Sequence, residues 1–232
     1  RPEKMNLHKD SGAPPAVRLA ATWPAAGPKA LWSRDLGDGY SAIVTDGPSL
    51  YTMYRPPKGM WGSFVSRVTG GEPEAVIALD PATGRTLWEH VYETAARKGM
   101  NMEYGPGPHA TPLVTGDLVF AVGTTGQMLA LEKATGKVRW SQELWDRLGG
   151  KVQDRGYSCS PLAYRENVLV TVGGKGQAVV AFRQRDGQIA WKAADFDPSP
   201  SSLTTINVDG QDQLVMFHAD GIAGLDPANG AV

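Results

Sequence analysis

An eleven-residue pattern recurs along the chain: it starts with Ala, has Gly in seventh place and ends with Trp. Its copies occupy residues 78–88, 130–140 and 181–191, and a fourth copy starts at Gly224 with Gly230 in seventh place. The copies follow one another at intervals of about 50 residues, and a fixed period of this length is typical of a fold built from one repeated unit. The pattern therefore limits the fold to a row of similar units.

Each residue type in the pattern has a physical role in a β-hairpin. Glycine adopts the positive φ that a tight hairpin needs at low steric cost. Tryptophan offers a large flat surface to the neighbouring unit, and the small alanine leaves room for it. We therefore predict structural roles for nine repeat residues: Ala78, Gly84, Trp88, Ala130, Gly136, Trp140, Ala181, Gly187 and Trp191.

Short strands separated by polar turns are predicted between the copies, and the first of them covers residues 40–44. Segments 118–122 and 168–172 are apolar on both faces, so each must be covered on both sides. Four-stranded units of about 45–50 residues that stack radially are propeller blades. A β-sandwich is the main rival, but it gives no reason for the repeat. The fold class predicted is an all-β propeller with about four four-stranded blades.

The repeat resembles the tryptophan-docking motif of pyrroloquinoline-quinone (PQQ)-type propellers. Residues 78–88 and 130–140 fit it best, whereas 181–191 has Arg183 where Asp is usual. The resemblance covers roughly residues 32–232 and implies a quinoprotein-type β-propeller. The family includes quinoprotein alcohol dehydrogenases, an outer-membrane β-barrel assembly lipoprotein and sensor domains of kinases, so the resemblance alone does not select one function. It also implies an extracytoplasmic location, periplasmic or secreted.

Two regions are expected in the chain. Residues 1–30 are rich in Pro and form an extended lead-in, and residues 31–232 form a partial propeller. The approximate repeats within the propeller are 40–92, 109–144, 157–194 and 202–232. Family rings close with seven or eight blades, so four blades form an open arc with an exposed sheet face at each end. The chain is then a piece of a longer protein, one of two copies that complete a ring, or a compact four-bladed propeller.

Composition excludes several classes of partner. The net charge of −1 gives no basic face for nucleic acid. No apolar run approaches the ~18 residues of a membrane span. The single Cys159 cannot form an intrachain disulfide and is predicted to be buried, and the four histidines have no metal-ligand spacing. We therefore expect a protein partner or a small ligand, bound without nucleic acid or a membrane span.

The candidate binding residues lie on long loops between the predicted blades, where a rigid scaffold can hold them at one rim. These loops cover residues 93–109, 145–157 and 195–202. Four of their side chains could bind a ligand or an ion: Asn101, Glu103, His109 and Arg155. The family resemblance makes PQQ and calcium possible cofactors. The sequence has neither an adjacent cysteine pair nor a Cys-x-x-Cys-His haem site.

The function predicted is a non-catalytic module that binds a protein or a small ligand on the propeller rim. Two alternatives remain at this point. One is a PQQ- and calcium-dependent oxidoreductase similar to the alcohol dehydrogenases, and the other is the ligand-sensing domain of a signalling protein. Catalytic residues are not identified.

Overall fold

The computed structural model describes residues 22, 24–57, 72–94, 100–101, 105, 107–151 and 154–232. The chain divides into two compact units, residues 1–33 and 34–232. In the described part of the first unit, the Gly27 N–H donates to the Pro24 carbonyl at 2.8 Å and closes a turn. All the strands found among the described residues lie in the second unit.

In the described part of the chain, fifteen strands form four antiparallel sheets, each made of strands that follow one another in sequence. Sheet 1 contains β1 (Val44–Thr45), β2 (Leu50–Tyr54), β3 (Glu74–Leu79) and β4 (Thr86–Tyr92). Sheet 2 contains β5 (Leu113–Thr115), β6 (Leu118–Val122), β7 (Gln127–Glu132) and β8 (Val138–Glu143). Sheet 3 contains β9 (Leu162–Tyr164), β10 (Asn167–Thr171), β11 (Val179–Arg183) and β12 (Ile189–Ala193). Sheet 4 contains β13 (Thr204–Val208), β14 (Gln211–His218) and β15 (Gly221–Leu225).

The all-β prediction is confirmed, with no helix among the described residues. Two details differ from the expected blades. Sheet 4 has three strands, because the fourth copy of the repeat reaches Val232 before its Trp position. In place of the strand predicted at 40–44, the structure has only the two-residue β1. Backbone N–H groups before β1 form hydrogen bonds with other loops instead of with β2. There the Tyr40 N–H donates to the Pro108 carbonyl and the Ala42 N–H donates to the Thr111 hydroxyl.

The sheets stack in chain order, and an apolar core lies between each pair of neighbours. Met53 and Val76 of sheet 1 pack against Val119 and Leu129 of sheet 2. Similar cores join sheet 2 to sheet 3 and sheet 3 to sheet 4. Because sheets 2 and 3 are covered on both faces, β6 and β10 are buried along their whole length. This explains why their sequences do not alternate between apolar and polar residues.

The two ends of the stack differ from each other. Sheet 4 exposes large apolar side chains on its outer face, as expected for an uncovered end. The same expectation is wrong for sheet 1, whose outer face is buried at Ala75, Ile77 and Leu79. Leu36, upstream of β1, packs against this apolar cluster.

The repeat residues have the same geometry in sheets 1, 2 and 3. The alanine lies opposite the tryptophan across the last two strands, and a β-bulge follows the alanine each time. The three opposed pairs are Ala78 with Trp88, Ala130 with Trp140, and Ala181 with Trp191. The glycines of these hairpins, Gly84, Gly136 and Gly187, have φ values of 69°, 70° and 69°. Left-handed backbone of this kind favours glycine.

Each tryptophan docks on the hairpin of the following sheet. The Trp88 Nε1–H donates to the Lys133 carbonyl at 2.7 Å, and the Trp140 Nε1–H donates to the Gln184 carbonyl at 2.7 Å. A Cβ placed on Gly136 would lie 2.5 Å from the Trp88 ring. The glycine therefore serves both the turn and the close approach of the neighbouring indole.

A second connection joins the inner edges of the sheets. The Ala42 N–H donates to the Thr111 hydroxyl at 3.2 Å, and the Thr111 N–H donates to the Ser160 hydroxyl at 2.9 Å. The Ser160 N–H donates in turn to the Ser202 hydroxyl at 2.9 Å. We call these three bonds the hydroxyl ladder. The ladder holds together the loops that lead into the four sheets, and it thereby positions the residues of the candidate functional site.

Candidate functional site

The loops that lead into the four sheets converge on a cleft of about 670 Å³. Tyr40, before sheet 1, lines one side, and His109, between sheets 1 and 2, lies next to it. Residues 154–159, between sheets 2 and 3, and residues 198–200, between sheets 3 and 4, complete most of the wall. Thr171, the last residue of β10, also lines the cleft. We call this feature the rim cleft.

An aromatic pair forms one wall of the rim cleft. The Tyr40 and His109 rings stack with centroids 5.3 Å apart and planes 20° apart. The Tyr40 N–H donates to the Pro108 carbonyl at 2.9 Å, which attaches the Tyr40 backbone to the loop that carries His109. Tyr40 remains 58% exposed, so its ring is available to a bound molecule.

His109 is held in its neutral form at neutral pH. Burial lowers the pKa of the imidazole below its ordinary 6.5, the nearby Glu74 carboxylate opposes this shift, and Arg155 and Arg55 add to it. The rim cleft therefore presents a neutral ring beside a guanidinium, rather than two cations, at pH 7.

A buried ionic cluster lies next to His109. The Glu74 carboxylate is fully buried and accepts from Arg55 Nη2 at 3.3 Å, from the Tyr92 hydroxyl at 2.8 Å and from the Thr124 N–H at 3.1 Å. Burial, together with the Glu74 carboxylate, raises the pKa of Tyr92 well above its usual value. Because Thr124 follows β6, this cluster ties sheet 1 to sheet 2 at the end where the cleft opens.

The four predicted binding residues have different positions. His109 and Arg155 both line the rim cleft, so the fold brings these two together. Asn101 lies beside it, since its N–H donates to the Asp154 carbonyl at 2.7 Å. Glu103 lies outside the described residues. The grouping of Asn101, His109 and Arg155 as ligand-binding residues remains a prediction.

Cys159 lies at the side of the cleft formed by residues 198–200. Its thiol donates to the Ser199 carbonyl at 3.2 Å and to the Ser201 carbonyl at 3.1 Å. Burial raises the pKa of the thiol to about 11, and the Thr171 hydroxyl opposes this rise. A thiol that stays protonated is a poor nucleophile, so Cys159 contributes packing and hydrogen bonds between sheets 3 and 4.

The described lining of the cleft supplies binding chemistry. Arg155 carries a positive charge, Tyr40 and Ser158 carry hydroxyls, and Pro198 and Pro200 provide apolar surface. In the described lining, the Cys159 thiol and the Ser199 hydroxyl donate to backbone carbonyls rather than to His109. The arrangement suits recognition of a molecule with aromatic or apolar parts and a polar or acidic group.

The family resemblance makes calcium and PQQ possible cofactors. Calcium takes about six to eight oxygen ligands, usually with several carboxylates among them. Among the described residues no three His, Cys, Asp or Glu side chains form a group that could hold a metal ion. Asp154 is the carboxylate in the described lining of the rim cleft. The described lining of the rim cleft therefore offers a single carboxylate where a calcium site usually has several.

Several residues of the cleft were not among the predicted binding residues. Tyr40, Thr171, Pro198 and Pro200 come from segments far apart in sequence and belong to no binding motif. Tyr40 was assigned to a strand, and Thr171 to an apolar strand. The Ser and Thr residues before the inner strands could have indicated which segments meet at the cleft. Their hydroxyls form the hydroxyl ladder, which brings these segments together.

Comparison with known proteins agrees with this architecture. Residues 72–232 match the family model described as outer membrane protein assembly factor BamB. An uncharacterized protein of Rickettsia conorii is 29% identical over 161 residues, which cover 67% of this chain and 35% of that protein. Quinohemoprotein alcohol dehydrogenase ADH IIB of Pseudomonas putida is 28% identical over 121 residues, which cover 50% of this chain and 17% of the enzyme. The matched part of the chain thus spans about a third or less of the length of these relatives.

The fold is also that of a solved propeller. The crystal structure of BamB from Moraxella catarrhalis matches with a TM-score of 0.54 and 18% identity, covering 87% of this chain and 49% of that one. At this identity the likeness concerns the fold alone. The β-propeller predicted from the repeat, and its resemblance to PQQ-type propellers, are confirmed.

A search of the described residues for membrane-spanning helices found none that is long and apolar enough.

Proposed function

The chain belongs to the propeller family described as outer membrane protein assembly factor BamB, and on that basis we propose that it is a non-catalytic binding module. Its partner is a protein, which it engages at the rim cleft. The single observation that carries this proposal is the convergence of loops from all four sheets on one cleft. Binding residues are typically carried on loops that a rigid scaffold positions.

The residues of the cleft suit a protein segment as the ligand. Tyr and Arg are enriched among the residues that dominate protein interfaces, because both combine apolar area with hydrogen bonds. Tyr40 offers an exposed ring, Arg155 offers a guanidinium, and Pro198 and Pro200 offer apolar surface. A partner segment with an acidic group near an aromatic or aliphatic side chain matches these features.

The same family membership supports an extracytoplasmic location, because the family description refers to assembly at the outer membrane. Fractionation of cells that produce the protein from its natural gene tests this part of the proposal. The protein is expected in the extracytoplasmic fraction. Recovery with the cytoplasmic proteins would contradict the location without bearing on the cleft.

Site-specific photo-crosslinking tests the binding site. A photoreactive amino acid replaces Tyr40 in the rim cleft, and a matched variant carries it at Arg185, an exposed residue in the hairpin after β11 at the opposite end of sheet 3. We expect a discrete protein adduct from position 40 that weakens when Arg155 is changed to Glu. Equal adducts from both positions, or none from position 40, would contradict the proposal.

An oxidoreductase is the second candidate, favoured by the identity with the quinohemoprotein alcohol dehydrogenase. A direct assay separates the two. The purified chain is mixed with PQQ, calcium and an alcohol, and reduction of an electron-accepting dye is followed. A binding module gives no alcohol-dependent reduction. Saturable PQQ binding that requires calcium, together with dye reduction, would favour the oxidoreductase.

A further inference from the structure

The rim cleft has a buried floor, which contains a hydroxyl without a hydrogen-bond partner. We call the buried lining residues Tyr157, Cys159, Thr171 and Ser199 the floor. Thr171 is only 4% exposed, and its Oγ1 has no hydrogen-bond partner among the described residues. The nearby Cys159 thiol stays protonated at neutral pH, and a thiol sulfur is a weak acceptor. An unpaired buried hydroxyl costs stability, so a ligand that pairs with it gains what the chain leaves unused.

The repeat shows that sheet packing does not require this hydroxyl. In each sheet, the position of Thr171 lies across the strand pair from the residue two places before the first position of the repeat. The other three sheets have apolar residues there, which are Met53, Val122 and Phe217. Valine has nearly the shape of threonine and fills this position in sheet 2. Departures from a local pattern of this kind are expected at functional sites.

The remaining polar side chains of the floor are already paired. The Tyr157 and Ser199 hydroxyls donate to backbone carbonyls. The Cys159 thiol donates to the Ser199 and Ser201 carbonyls, at 3.2 and 3.1 Å. Each of these two carbonyl oxygens has a second lone pair that can accept another hydrogen bond. The floor therefore combines one uncommitted donor, the Thr171 hydroxyl, with two carbonyl acceptors that lie together at Cys159.

A charged group does not suit the floor. The ionised side chains of the described lining, Asp154 and Arg155, are both exposed at the mouth of the cleft, and His109 is neutral at pH 7. A buried carboxylate or ammonium needs an opposite charge and several hydrogen bonds. The group that reaches Thr171 is therefore neutral, and an acidic group of the same ligand pairs with Arg155 at the mouth.

A primary carboxamide matches the floor in the number and kind of its hydrogen bonds. Its oxygen accepts from the Thr171 hydroxyl, and its two N–H groups donate to the Ser199 and Ser201 carbonyls. A phenol brings a single donor for the two carbonyls, and an indole cannot accept from Thr171. A main-chain segment would bring a donor and an acceptor at every residue, more than the floor can pair.

We propose that the rim cleft recognises an Asn or Gln side chain of the partner protein, bound at the Thr171 hydroxyl, with an acidic residue of the same segment at Arg155. This inference rests on the proposed function, because it specifies the segment that the cleft binds. Thr171 is then the residue that determines specificity for the amide.

Peptide selection on the 232-residue chain tests the inference. A phage library of random peptides is selected on the wild type, and peptides whose binding is abolished by Arg155→Glu are kept as cleft binders. We expect these peptides to share an Asn or Gln near an acidic residue. One of them is then synthesised, together with a variant in which the amide residue is replaced by Leu.

The two synthetic peptides are titrated against three forms of the chain. These are the wild type, Thr171→Val and the matched control Thr205→Val, whose side chain is exposed on β13. We expect the Leu replacement to weaken binding at least tenfold for the wild type and the control, and less than twofold for Thr171→Val. An equal loss for all three forms would place the amide away from Thr171 and overturn the inference.

The selection itself can also contradict the inference. Cleft binders that share a Tyr or only an acidic residue would assign the floor to a phenol or an acid, and would leave the proposed function intact. If no selected peptide depends on Arg155, the inference and binding of a protein segment in the cleft both fail.

The stability of Thr171→Val provides a second measurement, which does not need a ligand. The change removes an unpaired buried hydroxyl and keeps the shape of the side chain, so the denaturation midpoint should stay the same or increase. A clear decrease would show that the hydroxyl has a partner within the chain, and would overturn the inference.

Discussion

The backbone N–H of Thr111 donates to the side-chain hydroxyl of Ser160 at 2.9 Å, although the two residues begin different blades. The same bond joins Ala42 to Thr111 and Ser160 to Ser202. These bonds hold the inner ends of four sheets in a fixed order. The rim cleft depends on them, because each of its walls belongs to a loop that ends at one of these residues.

Changing Ser160 to Ala is expected to destabilise the protein by about 1–2 kcal/mol, because the half-buried Thr111 N–H loses its acceptor. Urea denaturation of the variant measures this loss. Ser201→Ala is the matched control, since Ser201 is exposed and forms its hydrogen bonds to the described residues Cys159 and Ser199 through its backbone. An equal effect at both positions would argue against the ladder.

Gly136→Ala and Gly116→Ala separate backbone strain from tryptophan docking. Both glycines have positive φ, 70° and 56°, and either substitution should cost about 1–2 kcal/mol for that reason. A Cβ at 116 meets open space, whereas one at 136 lies 2.5 Å from the Trp88 ring. We expect Gly136→Ala to cost about 1–3 kcal/mol more and to shift the tryptophan fluorescence. Similar denaturation curves for both variants would contradict the docking role.

Trp140→Phe is expected to destabilise the protein more than Trp191→Phe, by about 1 kcal/mol. Both indoles lie at equivalent positions and both are partly buried. Trp140 Nε1 donates to the Gln184 carbonyl at 2.7 Å, while Trp191 Nε1 is buried with no hydrogen-bond partner among the described residues. The change to phenylalanine therefore removes a hydrogen bond at position 140. At position 191 it removes a buried N–H group that has no acceptor among the described residues. Calorimetric or denaturant unfolding gives the comparison, and a larger loss at 191 would contradict it.

Stability should decrease as the pH falls below about 6.5, in part through His109. In the folded protein burial lowers the pKa of His109, whereas the unfolded chain takes up this proton near its ordinary pKa. Between the two pKa values the unfolded state binds more protons than the folded state, so a fall in pH favours unfolding there. The stabilisation that His109 gives the folded state is therefore fully present above about pH 6.5 and is lost as the pH falls.

His109→Gln provides the test of this pH dependence. Burial also lowers the pKa of His90, so wild type and variant must be compared with His90 present in both. We expect the free energy of unfolding to fall less between pH 7 and pH 5 in the variant. Parallel curves for the two proteins would show that His109 does not titrate in this way.

The sequence predicted the blades more completely than the cleft, for physical reasons. Leu118–Val122 was recognised with its bounds because a strand covered on both faces must be apolar at successive positions. The segment at 40–44 was extended too far, because its β-like residues form hydrogen bonds with loops from other blades, which local sequence does not reveal.

The full lining of the rim cleft could be recognised only from the folded structure. His109 and Arg155 stood out as unusual residues on long loops, and both line it. Thr171 and Pro198 gave no signal, since their role depends on segments that meet only after the sheets stack. The fully buried Glu74 was also missed, because a single Glu at the start of an apolar strand does not reveal its partners Arg55 and Tyr92.

The central claim is that this propeller binds a partner protein at the rim cleft. The most direct measurement is the affinity of the partner identified by crosslinking, purified and titrated calorimetrically against three forms of the chain. These are the wild type, Arg155→Glu in the cleft and Arg185→Glu at the opposite end of sheet 3. We predict at least a tenfold loss of affinity for Arg155→Glu and an unchanged affinity for Arg185→Glu. Equal affinity for all three forms would contradict the account.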